Sequence, residues 1–264
     1  MSEASTPVDI TRVDASGVHQ VSDSVAREEP LEIRIEGRPV AITMRTPGHD
    51  LELAAGFLFT EGVIDGPDDL TALAHVDDPS APEGNTVDTV LATGVPAARR
   101  GAADRVMFAS SSCGVCGKAT IDRLRQTAPP LSAPIDIDDH VLMSLPQTLR
   151  AAQDVFENTG GLHAAGLFTA KGHLEVSRED IGRHNAVDKV IGWRLRRDAV
   201  PIDDRILLVS GRAGFEIIQK ALMAGISTVA AVGAPSSLAV ELARESGLRL
   251  IGFLRDGRFN RYSS

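Results

Sequence analysis

Two cysteines, Cys113 and Cys116, are the only ones in the 264 residues, and they stand three apart in Ser110-Ser-Ser-Cys-Gly-Val-Cys-Gly-Lys118. Small residues surround both thiols. Upstream, Arg105-Val-Met-Phe-Ala109 reads as a short apolar strand. Downstream, Ile121 and Leu124 recur at helical spacing. This arrangement predicts a Gly/Ser-rich turn feeding a helix N-terminus. Unpaired N–H groups and the positive end of the helix dipole there favour a thiolate, and Lys118 adds a positive charge. The chemistry implied is that of a reactive thiol.

A second group of residues points to an anionic ligand. Arg205-Ile-Leu-Leu-Val209 is an apolar run of the kind buried in parallel sheets, followed by Ser210, Gly211 and Arg212 in Ser-Gly-Arg-Ala-Gly214. Thr228–Val232 leads likewise into Gly233-Ala-Pro-Ser-Ser237, and Leu248–Phe253 into Leu254-Arg-Asp-Gly-Arg258. Intervening helices predict right-handed crossovers, which bring all three loops to the C-terminal edge of one sheet. Arg212, Arg255 and Arg258 supply forked donors for phosphate oxygens. The expected ligand is a nucleotide or polyphosphate.

Arg178-Glu-Asp-Ile-Gly-Arg-His-Asn185 sets six ionic or amide side chains before an amphipathic helix of about 186–196. It reads either as a solvated capping box or as a recognition cluster that includes His184 and Asn185. His163, on an apolar strand after Thr159-Gly-Gly161, reads as structural or as support for the site, and His49 is read the same way.

These residues need elements to hold them. Residues 1–28 show no clear periodicity and predict a weakly ordered start before an edge strand. Pro30–Ile35 and Val40–Met44 around Glu36-Gly37-Arg38 predict a β-hairpin. Asp50 is placed to N-cap a helix that runs to Phe59 and stops at Glu61-Gly62. Residues 65–85 read as loop and Thr86–Ala92 as a strand. Ala128-Pro-Pro-Leu-Ser-Ala-Pro134 reads as a linker between two lobes, 29–127 and 128–264. A helical segment from Asp138 to about Glu157, interrupted near Pro146, then precedes strands 162–168 and 173–177.

Composition narrows the function classes. A formal net charge of −9 argues against bulk nucleic-acid binding and against a basic membrane surface, so the anion expected at the loops is one specific molecule. No apolar run approaches the length of a membrane span, and no secretory signal is evident, which predicts a cytoplasmic protein with free thiols. Seven histidines contain no His-x3–5-His pair, so no structural metal is expected. A zinc deaminase would place His-x-Glu before Pro-Cys-x-x-Cys; here the cysteines precede His163, Ser112 replaces the proline and Ala165 stands where the glutamate would be. Sulfur carriage as a persulfide remains, beside thiol–disulfide exchange.

Ser111-Ser-Cys-Gly-Val-Cys-Gly-Lys118, Thr159-Gly-Gly-Leu-His-Ala-Ala-Gly166, Glu179-Asp-Ile-Gly-Arg-His-Asn-Ala-Val-Asp-Lys189, Ser210-Gly-Arg and Ala234-Pro-Ser-Ser237 together resemble the formate dehydrogenase accessory sulfurtransferase family (FdhD). Glu29-Pro-Leu, Arg45-Thr-Pro-Gly-His-Asp50 and Gly56-Phe-Leu-Phe-Thr-Glu-Gly62 match as well, so the resemblance runs from about residue 29 to the C-terminus. It implies an α/β fold: a cytidine-deaminase-like core, with a mixed sheet flanked by helices, plus a smaller N-terminal β-rich lobe. It implies a sulfurtransferase that takes sulfur from a cysteine desulfurase onto Cys113, with Cys116 as helper. The acceptor would be the molybdenum cofactor, in its bis-molybdopterin guanine dinucleotide form, destined for formate dehydrogenase. Phe253, Leu254, Arg255, Asp256, Gly257 and Arg258 would be the cofactor-contacting segment. A homodimer is implied too. A non-catalytic cofactor chaperone and a thiol–disulfide oxidoreductase are the alternatives.

Overall fold

The computed structural model describes residues 4–77, 84–96 and 128–264. Two sheets and a hairpin organise them. Residues Ser5–Asp14 (β1) and Gly17–Ala26 (β2) pair antiparallel across a turn in which the Asp14 carboxylate accepts from the Ser16 N–H. A weakly ordered start was expected for this stretch. The strands are hidden from a periodicity reading because most of both faces meets solvent, so no core demands alternation.

Glu29–Ile35 (β3) and Arg38–Arg45 (β4) form the expected hairpin. Leu70–His75 (β5) and Thr86–Leu91 (β6) complete a four-stranded sheet in the order β4-β3-β6-β5. β5 corrects the expectation of loop through 65–85: it is a short, half-exposed edge strand specified by pairing with β6. Leu31, Ile33, Ile35 and Val87 turn inward from this sheet against Asp50–Thr60 (α1). Asp50 is the first residue of α1, with His49 at the N-cap in a left-handed conformation. Asp50 caps nothing because its carboxylate is held by Arg45, at 3.0 and 2.9 Å.

Asp139–Ala151 (α2) and Asp154–Thr159 (α3) follow the irregular 128–138 stretch. Asp138 caps α2 through the His140 and Val141 N–H groups. The helix runs through Pro146 and breaks only at Ala152–Gln153, because buried Leu142, Leu145 and Leu149 anchor it on both sides of the proline. His163–Phe168 (β7), Leu174–Asp180 (β8), Arg183–Leu195 (α4), Ile206–Val209 (β9), Phe215–Met223 (α5), Thr228–Ala231 (β10), Ser237–Ser246 (α6), Arg249–Arg255 (β11) and Arg258–Arg261 (β12) build the larger unit. Its sheet has the order β12-β11-β10-β9-β7-β8 and is mixed: β9, β10 and β11 run parallel, while β7, β8 and β12 join antiparallel.

Alternate side chains of the central strands enter two cores. Leu207, Val209, Val229 and Ala231 face one that also holds α4, α5 and α6 residues; Ile206, Leu208 and Ala230 face the other, under α2. Burial on both faces accounts for the near-continuous apolar runs. The first core continues without a break into the four-stranded sheet, because Leu53 and Leu58 of α1 join Val187 and Ile191 of α4 within it. No helix among the described residues is long and apolar enough to cross a membrane.

Candidate functional site

The parallel direction of β9, β10 and β11 brings the three loops after them to one sheet edge, as their sequence spacing requires. Backbone hydrogen bonds lace them together. The Gly233 N–H donates to the Gly211 carbonyl (2.9 Å), the Ser236 N–H to Ala213 O (3.0 Å), and the Phe253 N–H to Gly233 O (3.0 Å). Gly233 is required at this crossing, since a Cβ there would stand 2.8 Å from Gly211 O. The Ser210 hydroxyl is used to close its own loop, accepting from the Ala164 N–H at 2.8 Å.

Because β7 is antiparallel to β9 and β8 to β7, the start of β7 and the end of β8 reach the same edge. His163 thereby sits over Gly211, whose added Cβ would lie 3.2 Å from Nδ1. Gly160 ends α3 in a left-handed conformation and turns the chain into β7, which gives the Thr-Gly-Gly stretch its role.

The Arg178–Asn185 cluster divides between the two readings. Four of its members hold structure. Arg178 binds Glu52 of α1 through two hydrogen bonds of 2.6 and 2.9 Å. Glu179 caps the N-terminus of α3, accepting from Val155 and Phe156 N–H groups. Asp180, wholly buried, contacts Lys189 Nζ at 2.7 Å and accepts from Gly182 N and Asn185 Nδ2. Asn185 also donates to Met44 O at 2.8 Å, which ties the β4–α1 connection to α4. Asn185 is therefore a buried tether and presents no free group to a ligand.

Arg183 and His184 are left facing the loops. His184 Nε2 lies 2.8 Å from Glu216 Oε2 on α5, and this contact, more than any other, holds the Glu216 carboxyl below its ordinary range. The guanidinium groups of Arg183 and exposed Arg212 make no hydrogen bond or ion pair within the described residues, and both bear on His163 electrostatically. Burial first, then Arg183 and His184, keep His163 below the usual histidine value, against an opposing pull from Asp180.

The third loop is the tip of the β11–β12 hairpin. Phe253 has φ of 53° at a bulge between Gly252 and Arg255, and Asp256 and Gly257 turn the chain with φ of 54° and 69°. Phe253, Arg255, Arg258 and Asn260 line an open groove of about 290 Å³. Arg255 stands 5.7 Å from the Phe253 ring centroid and 3.9 Å from Asp256. Leu254 is fully buried with Leu208, Ala230 and Ile251, so it packs the sheet and takes no part in the groove. Cys113 and Cys116 lie outside the described residues.

The sheet edge thus carries two groups, His163, Arg183, His184 and Arg212 beside the first loop and Phe253, Arg255 and Arg258 at the hairpin groove, joined by the laced backbone of the loops between them. Its charge and free donors suit phosphate oxygens. Glu216, inside a helix, escaped the sequence reading; Gly233 lay in one of the three expected ligand loops, but its tight crossing with Gly211 did not show in the sequence.

Residues 26–264 match the family model described as FdhD/NarQ. The chain is similar to the sulfur carrier protein FdhD of Streptomyces avermitilis, 50% identical over 260 residues that cover 96% of this chain and 92% of that one. It is similar to the sulfur carrier protein FdhD of Mycobacterium tuberculosis, 47% identical over 262 residues, with 96% and 95% covered. Its fold is similar to the crystal structure of a Desulfotalea psychrophila protein classed with the formate dehydrogenase accessory proteins, with a TM-score of 0.78, 24% identity, and 99% and 97% covered.

Proposed function

This chain belongs to the FdhD/NarQ family, and from that premise we propose that it is a cytoplasmic sulfur carrier for formate dehydrogenase that works as a persulfide sulfurtransferase. The observation that carries the reading is one sheet edge in an acidic protein, where three backbone-laced turns carry Arg212, Arg255 and Arg258, and where His163 and Arg183 stand beside the first turn. A ligand rich in phosphate fits it. The molybdenum cofactor in its bis-molybdopterin guanine dinucleotide form is such a ligand, and it is the acceptor substrate here, with the guanine nucleotide phosphates on the arginines.

Cys113 is the sulfur-carrying residue. Its thiolate attacks the outer sulfur of a cysteine desulfurase persulfide; the new S–S bond forms as the donor's S–S bond breaks, and the desulfurase thiolate leaves. Cys116 releases the carried sulfur. Its thiolate attacks Cys113 Sγ, a Cys113–Cys116 disulfide forms, and hydrosulfide departs toward the bound acceptor. The two electrons that reduce the carried sulfur come from the cysteine pair, and a dithiol reductant then returns the oxidised pair to thiols for the next turnover. The mixed sheet and its flanking helices suit a cytidine-deaminase-like core in which Ala165 and Ser112 no longer support deamination. Formate dehydrogenase is the client, and a homodimer is the proposed working form.

Intact-mass measurement after incubation with a cysteine desulfurase and cysteine tests this. The expected result is an adduct of about 32 Da on the wild type that reductant removes and Cys113→Ala abolishes. No adduct on the wild type would reject sulfur carriage and leave a cofactor-binding chaperone. Equal loss of function in Cys113→Ala and Cys116→Ala with reduction of test disulfides would instead indicate an oxidoreductase.

A further inference from the structure

His163 occupies an unusual position for a half-buried histidine. It opens β7 at the loop edge, its ring lies against Gly211, and the ring nitrogens make no hydrogen bond with a described residue. The groups that face it come from three elements: Arg183 and His184 from the first turn of α4, Arg212 from the β9–α5 loop, and Asp180 from the end of β8. Two of these are already committed. His184 Nε2 lies 2.8 Å from Glu216 Oε2, and Asp180 meets Lys189 and three N–H donors, from Thr46, Gly182 and Asn185. What remains around the ring is positive charge without an acceptor. Burial first, and then these positive neighbours, disfavour a proton on an imidazole in that setting, yet an anion held by the same neighbours would remove the repulsion.

We propose that His163 is the proton-linked ligand contact of this site: it is neutral while the site is empty and takes a proton from solvent when a phosphate oxygen of the acceptor arrives. The inference rests on the reading of the loop cluster as a phosphate-binding site. Protonation converts a ring with one donor into one with two and adds a third positive charge to those of Arg183 and Arg212. Binding then becomes tighter on the acid side of neutrality and release easier on the alkaline side.

GDP serves as the probe, since it carries the nucleotide diphosphate that the site is read to bind. Calorimetry on the full chain in two buffers of different ionisation enthalpy measures proton uptake, and histidine NMR resonances follow His163 directly. For the wild type, binding should take up as much as about one proton, and affinity should fall by up to roughly tenfold per pH unit between about pH 6 and 8. His163→Gln should bind more weakly, with little pH dependence and no uptake, and with an unchanged circular dichroism spectrum. His49→Gln, which alters a histidine beside Glu52 and Arg178, should retain the uptake. GDP binding with equal uptake in His163→Gln and wild type, or with an unchanged His163 titration, would overturn this inference alone. Absence of GDP binding to the wild type across that range would overturn it together with the phosphate-site reading.

Discussion

Gly56 of α1 and Gly192 of α4 lie back to back, and neither has room for a side chain. A Cβ on Gly56 would stand 1.9 Å from the Asp188 carbonyl oxygen, and a Cβ on Gly192 1.9 Å from Glu52 O. The two helices therefore meet backbone to backbone, which is how a helix of the N-terminal part enters the core of the larger sheet. It also fixes Glu52 where it can bind Arg178 at the end of β8. The contact positions the loop edge from a distance.

Gly56→Ala and Gly192→Ala should each destabilise the protein by about 3 kcal/mol or more, at the upper end of overpacking effects, because the obstructing atoms are backbone and cannot rotate away. Urea unfolding followed by circular dichroism gives the measurement. A loss below about 1 kcal/mol at both sites would mean that the helices separate freely, and the account of this contact would fail.

Lys220 of α5 reaches across to Asp188 of α4 at 2.9 Å, with Thr60 Oγ1 accepting from Lys220 at 3.0 Å and donating to Asp188 at 2.8 Å. Burial raises the Asp188 carboxyl above its usual value, while Asp188 and then Glu61 hold the Lys220 ammonium above its own. Lys220→Met should cost about 3–5 kcal/mol, since it strands a buried carboxylate. Adding Asp188→Asn should recover much of that loss. A double variant as unstable as the sum of the two singles would show that the pair is not coupled.

Arg212 and Arg258 are exposed and carry no partner among the described residues, so their removal should separate binding from stability. Arg212→Ala and Arg258→Ala are each expected to change unfolding free energy by no more than about 0.5 kcal/mol. GDP affinity should drop roughly tenfold or more, with a shallower dependence on salt. Unaltered affinity in both variants would place the phosphate elsewhere.

Much of this arrangement was legible in the chain. The strand–loop–helix repeats of residues 205–258 have a spacing that right-handed crossovers convert into one loop edge, so Ser210–Arg212 and Phe253–Arg258 could be placed together before any coordinates. Local pattern could not sort the Arg178–Asn185 cluster. Glu179 and Asp180 look as available as Arg183 and His184, and only the packing of α1, α3 and α4 around them shows which are spent on caps and tethers. His163 escaped notice as a ligand contact for the same reason: its neighbours arrive from β8, α4 and the β9–α5 loop, and none is near it in sequence except through the antiparallel pairing of β7. β1, β2 and β5 were missed because exposed or edge strands carry no apolar alternation to read.

Phe253 offers a test of whether the groove is shaped at the expense of the backbone. Its φ of 53° lies in the left-handed region, where a bulky side chain costs about 1–2 kcal/mol relative to glycine. Its N–H is held by Gly233 O and its ring faces Arg255, so the conformation is imposed by the neighbouring loop while the aromatic face is presented to the groove. Phe253→Leu keeps the strained backbone and loses the ring; Phe253→Gly relieves the strain and loses more side chain. If strain is stored here, Phe253→Gly should be at least as stable as Phe253→Leu in thermal unfolding, although it removes more apolar surface. Both should bind GDP more weakly than the wild type, because neither stacks an aromatic face beside Arg255. A Phe253→Gly variant well below Phe253→Leu in stability would mean that the left-handed turn is tolerated without cost, and the ring would then be explained by packing alone.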